Sequence, residues 1–489
     1  MSLLTEVVPR RAEDDAFHAL QDVPREHGFE PLHVEGRLPE WLNGTLYKAG
    51  PFLFSSGGRR YDHWFDGDGG VTALRFADGR ATGALKVVQS NGLLRERVKG
   101  RRLYGGYDTI TPGLFRRLFS KLKNQANTAT LAYADRVYAL MEAGLPTRIG
   151  EDDLATLGED DLGGTIAKNF SAHPHAVVDR KATYGFAVWP GPRTTLTLYE
   201  LRWDGPSRVL ATLPLPAPTM IHDFIATPKH LVFFVSPLVL DVASFFLGRK
   251  GYASSLDWKP ERGTEIIVVP IDDPKHPVRF QAEPFYQWHF TNAWEEGDTI
   301  VVDFIRYDDF RSSGRLGRLA RLESSPDPMF DGTFWRAWVE PKHQTFRAEE
   351  RWARVGELQR VADDRAGRPT RYTYAPVYAR GSDRTGLWDG IAKVEMETGA
   401  AIEHPLPAGH YASEAIFVRR SEASEDDGAL VTLVYDATSD HTYGLVLDAR
   451  DLSPLASAHF DHRVPPGFHG TWVGSHGARV DRNSLGMRR

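Results

Sequence analysis

The chain has 489 residues, of which 41% are hydrophobic and 25% charged, enough apolar material for a large globular core and too much for a disordered chain. Its formal charge of -6 offers no basic balance, so no nucleic-acid partner is expected. It has no cysteine, which excludes disulfides, thiolate metal sites and a cysteine nucleophile and leaves His, Asp and Glu as candidate metal ligands.

The first residues, MSLLTEVVPRRAEDDAFHAL, show no basic segment followed by an apolar core of signal-peptide length, and no apolar run nears the roughly 18 residues of a spanning helix. A cytoplasmic protein is expected, with residues 1–30 as an N-terminal arm. Beyond them, short runs rich in Val, Ile, Leu, Phe and Tyr alternate with Gly, Pro, Asp and Asn: GGVTALRFADGRATGALKVV, TTLTLYELRWDGPSRVLATLPL, HLVFFVSPLVL, DTIVVDFIRYD and GALVTLVYDATSDHTYGLVLDAR. That pattern predicts successive antiparallel hairpins and a mainly β fold. No strict repeat, linker or charge run divides the chain, so one domain over 1–489 is expected, with a loop at GELQRVADDRAGRPTRYTYA and a polar tail over 476–489.

Two segments break the pattern. GLFRRLFSKLKNQA, from Gly113, places Leu114, Phe115, Leu118, Phe119 and Leu122 on one side of a predicted helix and Arg116, Arg117, Lys121 and Lys123 on the other. PLVLDVASFFLG, residues 237–248, carries Phe245, Phe246 and Leu247 in succession. Each reads either as an element packed on the sheets or as an apolar surface laid on a membrane.

Within PTMIHDFIATPKHLVFFVSPLVL, residues 218–240, His222 and Asp223 stand side by side in an apolar run. Three further histidines have similar settings: His173 in FSAHPHAV, His289 in QWHFTNAWEE and His469 in PGFHGTWV. Their wide separations exclude a local metal motif of the HExxH kind. They are either four satisfied core histidines or a set that the fold collects. A closed propeller would collect them, because the inner strand of each blade faces a common axis. An all-imidazole site suits a first-row metal, iron among them. Glu142 in YALMEAGLP, Glu357 in GELQRV and Glu414 in YASEAIFV read as turn carboxylates or as acceptors for the outer nitrogens of ligating imidazoles.

Taken in order, FDGDGGVTALRF, LKNQANTATLAYADRVYALMEAGLP, SAHPH, IHDF, WHFTNAWEE, GRPTRYTYA, SEAIFVRR with EDDGALVTLVYD, and FHGTW resemble the carotenoid cleavage oxygenases, the bacterial apocarotenoid-cleaving branch most of all. The resemblance spans roughly residues 30 to 475. It implies an all-β fold, a seven-bladed β-propeller capped by loops and short helices, with ferrous iron on the axis. By motif match the iron ligands would be His173, His222, His289 and His469. Glu142, Glu357 and Glu414 would hold His222, His289 and His469 respectively, leaving His173 without such a partner, His175 as a neighbour and Asp223 structural. The implied activity is oxidative scission of one C=C bond of a carotenoid or apocarotenoid by dioxygen, giving two carbonyl products.

The resemblance also implies that Thr128, Met141, Tyr107 and Trp288 line the substrate and oxygen site, and that the two apolar segments touch a membrane surface peripherally. The chain departs from the family at Leu358 and Gln359, where Phe-Pro is usual, and at Met141, where carotenoid-cleaving relatives often have Trp and stilbene-cleaving relatives Lys. Tyr107 matches the tyrosine of the stilbene branch, so a stilbenoid alkene is the alternative substrate. A retinoid isomerase with the same iron site and a metal-free propeller scaffold are the rival functions.

Overall fold

The computed structural model describes residues 11–119, 122–189 and 194–474; Lys121 and the expected polar tail lie outside them. In these residues seven antiparallel sheets form the blades of a β-propeller. Blade 1 runs His27–Pro31, Arg80–Val87, Asp68–Ala77, Gly44–Leu53 and Gly470–Gly474. Its last strand comes from the far end of the chain and pairs Trp472 with Leu46, which closes the ring. Blade 2 is Ala129–Tyr133, Arg136–Leu140, Thr147–Ile149 and Thr156–Glu159; blade 3 is His175–Val177, Ala182–Trp189, Thr195–Arg202 and Arg208–Pro214. Blade 4 is Ile225–Ala226, His230–Val235, Thr264–Pro270 and Val278–Ala282; blade 5 is Phe290–Glu296, Thr299–Arg306, Thr333–Glu340 and Thr345–Trp352.

Blade 6 is Tyr372–Val377, Gly390–Glu395 and Ala400–Pro405, and Gly356 and Arg360 bridge to its first strand from the axial side. The loop expected there therefore begins as an inner edge. Blade 7 is His33–Gly36, Pro454–His459, His441–Asp448 and Gly428–Asp436, with its inner edge split into His410–Ala412 and Ile416–Arg419. Residues 27–36 of the chain thus supply outer strands to two blades, so the expected arm becomes part of the sheets at its inner end.

Local chemistry explains the hairpins. Asp78 and Gly79, both at positive φ, form the two-residue turn between Asp68–Ala77 and Arg80–Val87. Ala134 and Asp135 turn blade 2 in the same way. The run HLVFFV is apolar on both faces because it lies between two inter-blade cores. Phe233 packs with Phe186 and Phe224 toward blade 3, and Phe234 with Phe290 and Phe304 toward blade 5.

Among the described residues five short α-helices accompany the blades: α1 Ala12–Ala19, α2 Asn91–Lys99, α3 Leu114–Phe119, α4 Val242–Leu247 and α5 Arg311–Ala320. The helix predicted across GLFRRLFSKLKNQA is corrected: its described part is Leu114–Phe119, the chain from Leu122 onward is not helical, and Lys123 is not on a basic surface. The chain dives inward there, the Gln125 carbonyl accepting the Gly69 N–H, and Lys123 Nζ lies 2.5 Å from Asp68 Oδ1 and 2.7 Å from Glu96 Oε2. In the second apolar segment Leu238–Leu240 is a buried strand, while Val242, Phe246 and Leu247 of α4 are exposed beside α3 with its exposed Leu114 and Phe115. Among the described residues no helix is long and apolar enough to cross a membrane.

A candidate metal centre on the propeller axis

Each blade delivers one residue to the axis at the start of its innermost segment: Thr128 before Ala129–Tyr133, His173 before His175–Val177, His222 before Ile225–Ala226 and His289 before Phe290–Glu296. Glu357 lies on the inner edge of blade 6, Glu414 precedes Ile416–Arg419 and His469 precedes Gly470–Gly474. Strand ends suit this purpose. A side chain inside a strand alternates between inter-blade cores, whereas one at the entry of an inner strand faces the centre of the ring.

The four imidazoles meet. His173 Nε2 lies 3.1 Å from His222 Nε2, His222 Nε2 3.3 Å from His289 Nε2, and His469 Nε2 3.1 Å from His289 Nε2. Ligand atoms of His173, His222 and His289 all fall within 4.8 Å of one another, a group able to hold a metal ion. The outer nitrogens are held by carboxylates. His222 Nδ1 pairs with Glu142, His289 Nδ1 with Glu357 at 2.5 Å and His469 Nδ1 with Glu414 at 2.9 Å. Among the described residues no carboxylate pairs with His173.

The electrostatics follow from burial. His173 is held far below the ordinary imidazole range by burial and by its four imidazole neighbours, His222, His469, His289 and His175. Burial brings His469 to about 4, opposed by Glu414. Burial acts downward on His289 too, yet the carboxylates of Glu357, Asp223 and Glu414 together outweigh it and raise the group. Burial alone would raise Glu414, but Lys48, Arg360 and His469 hold it well below the usual carboxylate range. Lys48 is itself drawn down by burial to about 8, its Nζ donating to Phe468 O at 2.9 Å and lying 3.5 Å from Glu414 Oε2. Asp223, opposed by burial and favoured by His175, sits below its ordinary value.

A metal ion fits this donor set. Three carboxylates fix their imidazoles with Nδ1–H outward, which turns Nε2 lone pairs inward on one another. Lone pairs about 3 Å apart repel unless a proton or a cation lies between them. Neutral imidazoles with no anionic ligand among them suit a divalent first-row ion.

Beside the histidines lies a cavity of about 960 Å³ whose wall includes His222, His289, His469, Thr128, Met141, Tyr107 and Trp288. Trp288 stands edge-on to His222 at 4.9 Å, its Nε1–H donating to Ser312 Oγ at 2.8 Å. Phe65, parallel to the His222 ring, and Phe468 complete an aromatic wall. Thr128 donates its hydroxyl to Asn127 Oδ1, and its carbonyl accepts the His469 N–H at 3.1 Å. Met141 Sδ accepts the Ala143 N–H, and the Tyr107 hydroxyl rests 3.4 Å from Ser313 Oγ and from Met220 Sδ.

Sequence reasoning missed Lys48 and Arg360, and it gave Gln359 no role. Arg360 reaches Glu414 Oε1 at 3.3 Å and Asp363 at 2.7 Å. Gln359, one of the two departures noted above, donates to the backbone carbonyl of His289 at 2.9 Å. Leu358, the other, takes φ 54°, and its N–H reaches Glu357 Oε2 at 2.7 Å. A lone lysine within the apolar run GTLYKAGPFL was the available signal for Lys48, since an unpaired ammonium is not buried.

Comparison with known proteins gives concordant results. A profile of the family described as RPE65, retinal pigment epithelial membrane protein, matches residues 20–474. The apocarotenoid-15,15'-oxygenase of Synechocystis sp. is 32% identical over 476 residues, 94% of this chain and 96% of the relative. Carotenoid 9,10(9',10')-cleavage dioxygenase 1 of Arabidopsis thaliana is 29% identical, over 90% of this chain and 86% of its own. A crystal structure of cobalt-substituted Synechocystis ACO superposes with a TM-score of 0.86 at 32% identity, covering 95% of this chain and 100% of that one.

Proposed function

Because the chain belongs to the family of the retinal pigment epithelial membrane protein and the carotenoid cleavage oxygenases, we propose that it is a non-haem iron(II) dioxygenase that cleaves one C=C bond of an apocarotenoid or carotenoid to two carbonyl products. The observation that carries this reading is the convergence of four inward Nε2 atoms, three of them backed by carboxylates, with His222, His289 and His469 in the wall of a largely apolar cavity. Ferrous iron held by His173, His222, His289 and His469 would supply the activation of dioxygen.

The protein's own groups do the rest. Glu142, Glu357 and Glu414 keep the imidazole tautomer that leaves Nε2 free and orient each ring. Phe65, Trp288 and Phe468 offer flat apolar surfaces that seat a conjugated chain and exclude water beside the histidines. Thr128, a small residue with its hydroxyl engaged by Asn127, leaves room for dioxygen. Both oxygen atoms end in the products, one on each former alkene carbon, so no further reductant is required.

Met141 favours the polyene over a stilbenoid, because a thioether at that position provides no cation for a phenol. Tyr107 in the cavity wall is the observation on the stilbenoid side. The substrate class also accounts for the exposed apolar residues of α3 and α4: the cavity wall includes Arg117, Leu122, Phe245 and Phe246, so the patch adjoins its mouth and suits peripheral contact with a bilayer.

The test is anaerobic reconstitution with ferrous iron, then exposure to a long apocarotenal in detergent under air, with polyene absorption followed and products identified by mass. Iron-dependent formation of two shorter carbonyl compounds supports the reading and locates the cut bond. An iron-loaded protein inert toward polyenes but active on stilbenoids would overturn the substrate, and failure to bind iron would return the chain to a scaffold propeller.

A further inference from the structure

Asp223 follows His222 directly, and its carboxylate is almost fully buried. Each of its oxygens reaches a neighbouring blade. Oδ1 accepts from His175 Nε2 at 2.8 Å and from the Phe224 N–H at 2.8 Å; Oδ2 accepts from the Phe290 N–H at 2.8 Å. His175 lies two residues beyond His173 on the inner strand of blade 3, and Phe290 lies one residue beyond His289 on the inner strand of blade 5. One carboxylate therefore joins the three chain segments that carry His173, His222 and His289, and these are the same three histidines whose ligand atoms cluster within 4.8 Å. His469 stands outside this arrangement, tied instead through its N–H to Thr128 and through Glu414 to Lys48 and Arg360.

We propose that Asp223, with His175 as its donor, is a positioning residue that sets the mutual spacing of the three imidazoles across blades 3, 4 and 5. The proposal rests on the reading of these histidines as metal ligands. Backbone pairing cannot perform this task. Inner strands of adjacent blades lie side by side around the axis without a shared hydrogen-bond ladder, each belonging to its own sheet. Ile225–Ala226 and His175–Val177 are moreover two and three residues long, too short to hold a ligand by pairing alone. A buried carboxylate with several donors at fixed angles is stiff in a way that apolar contacts are not. His175 is consequently not a reserve ligand, since its Nε2–H is spent on Asp223.

The experiment uses the full-length protein and cobalt(II) as the probe, with affinity from titration and coordination from the visible ligand-field spectrum. Wild type, Asp223→Ala, His175→Ala and His175→Gln are compared, and thermal unfolding of the metal-free forms is measured in parallel. The expected result is a 10- to 100-fold weaker cobalt affinity with an altered spectrum for Asp223→Ala and His175→Ala, the typical range for loss of a group that orients metal ligands. His175→Gln, whose amide can still donate to Asp223, should recover much of the wild-type spectrum and affinity. His175→Ala leaves both backbone donors on Asp223, so it carries the test if Asp223→Ala does not fold. Wild-type affinity and spectrum in both alanine variants, with only the unfolding temperature lowered, would overturn the proposal. No cobalt spectrum from the wild type would overturn the ligand reading itself and the proposal with it.

Discussion

Glu414 is completely buried, and it stays ionised because Lys48, Arg360 and His469 surround it. That dependence makes the polar ring outside the histidines as consequential as the histidines. His222→Ala or His469→Ala is expected to abolish iron retention and turnover, read by metal analysis of the purified protein. Glu414→Gln should keep the fold and lower iron affinity or activity about 10- to 100-fold. Lys48→Met removes one of the two cations beside a buried carboxylate and should cost about 3 kcal/mol in denaturant unfolding, because the remaining charge is left only partly compensated. Away from the site, His63 is buried with Nε2–H donating to Ser313 O at 3.0 Å and Nδ1 accepting from Phe65 N–H at 3.1 Å. Burial brings it to about 3, against 6.5 ordinarily. The folded protein refuses a proton that the unfolded chain accepts, so stability should fall as pH drops from about 6.5 toward 3. The loss is on the order of 2 kcal/mol by pH ~5, and urea unfolding at a series of pH values should show a shallower dependence for His63→Gln.

At the scale of elements, the hairpins were legible because their signals are local: Asp78-Gly79 with alternating runs on either side is a turn wherever it occurs. The helix across residues 113–126 was misread for the complementary reason. Its apolar and basic residues do recur with helical spacing, but Lys123 finds Asp68 and Glu96 in the interior, and two buried carboxylates outweigh a weak helical preference. What remains of the segment, α3, lies beside α4 and exposes Leu114, Phe115, Val242, Phe246 and Leu247. If these residues enter a bilayer surface, Phe115→Glu with Phe246→Glu should remove about 1.5 kcal/mol or more each. Co-sedimentation with phospholipid vesicles should then fall roughly a hundredfold, while iron content stays unchanged.

For the whole molecule, the four histidines come from blades 3, 4, 5 and 1, and the last of these is completed by the strand Gly470–Gly474 paired with Gly44–Leu53. A metal on the axis would therefore link both ends of the ring. Metal at a hundred times its dissociation constant should add about 2.7 kcal/mol to unfolding, seen as a rise in thermal midpoint that a chelator reverses; no rise would argue against axial binding. The sequence alone determined the mainly β character, the turn positions and the exclusion of thiolate chemistry, because each depends on residues a few positions apart or on composition. The ordered motifs around His173, His222, His289 and His469 also made the family and its propeller readable. Only the tertiary structure decided that Lys48 and Arg360 stand behind Glu414, that Asp223 joins three blades, and that a largely apolar cavity runs past them. Those contacts link residues far apart in the chain, and they come into being only when the ring of blades closes and burial makes each unpaired charge too costly to leave alone.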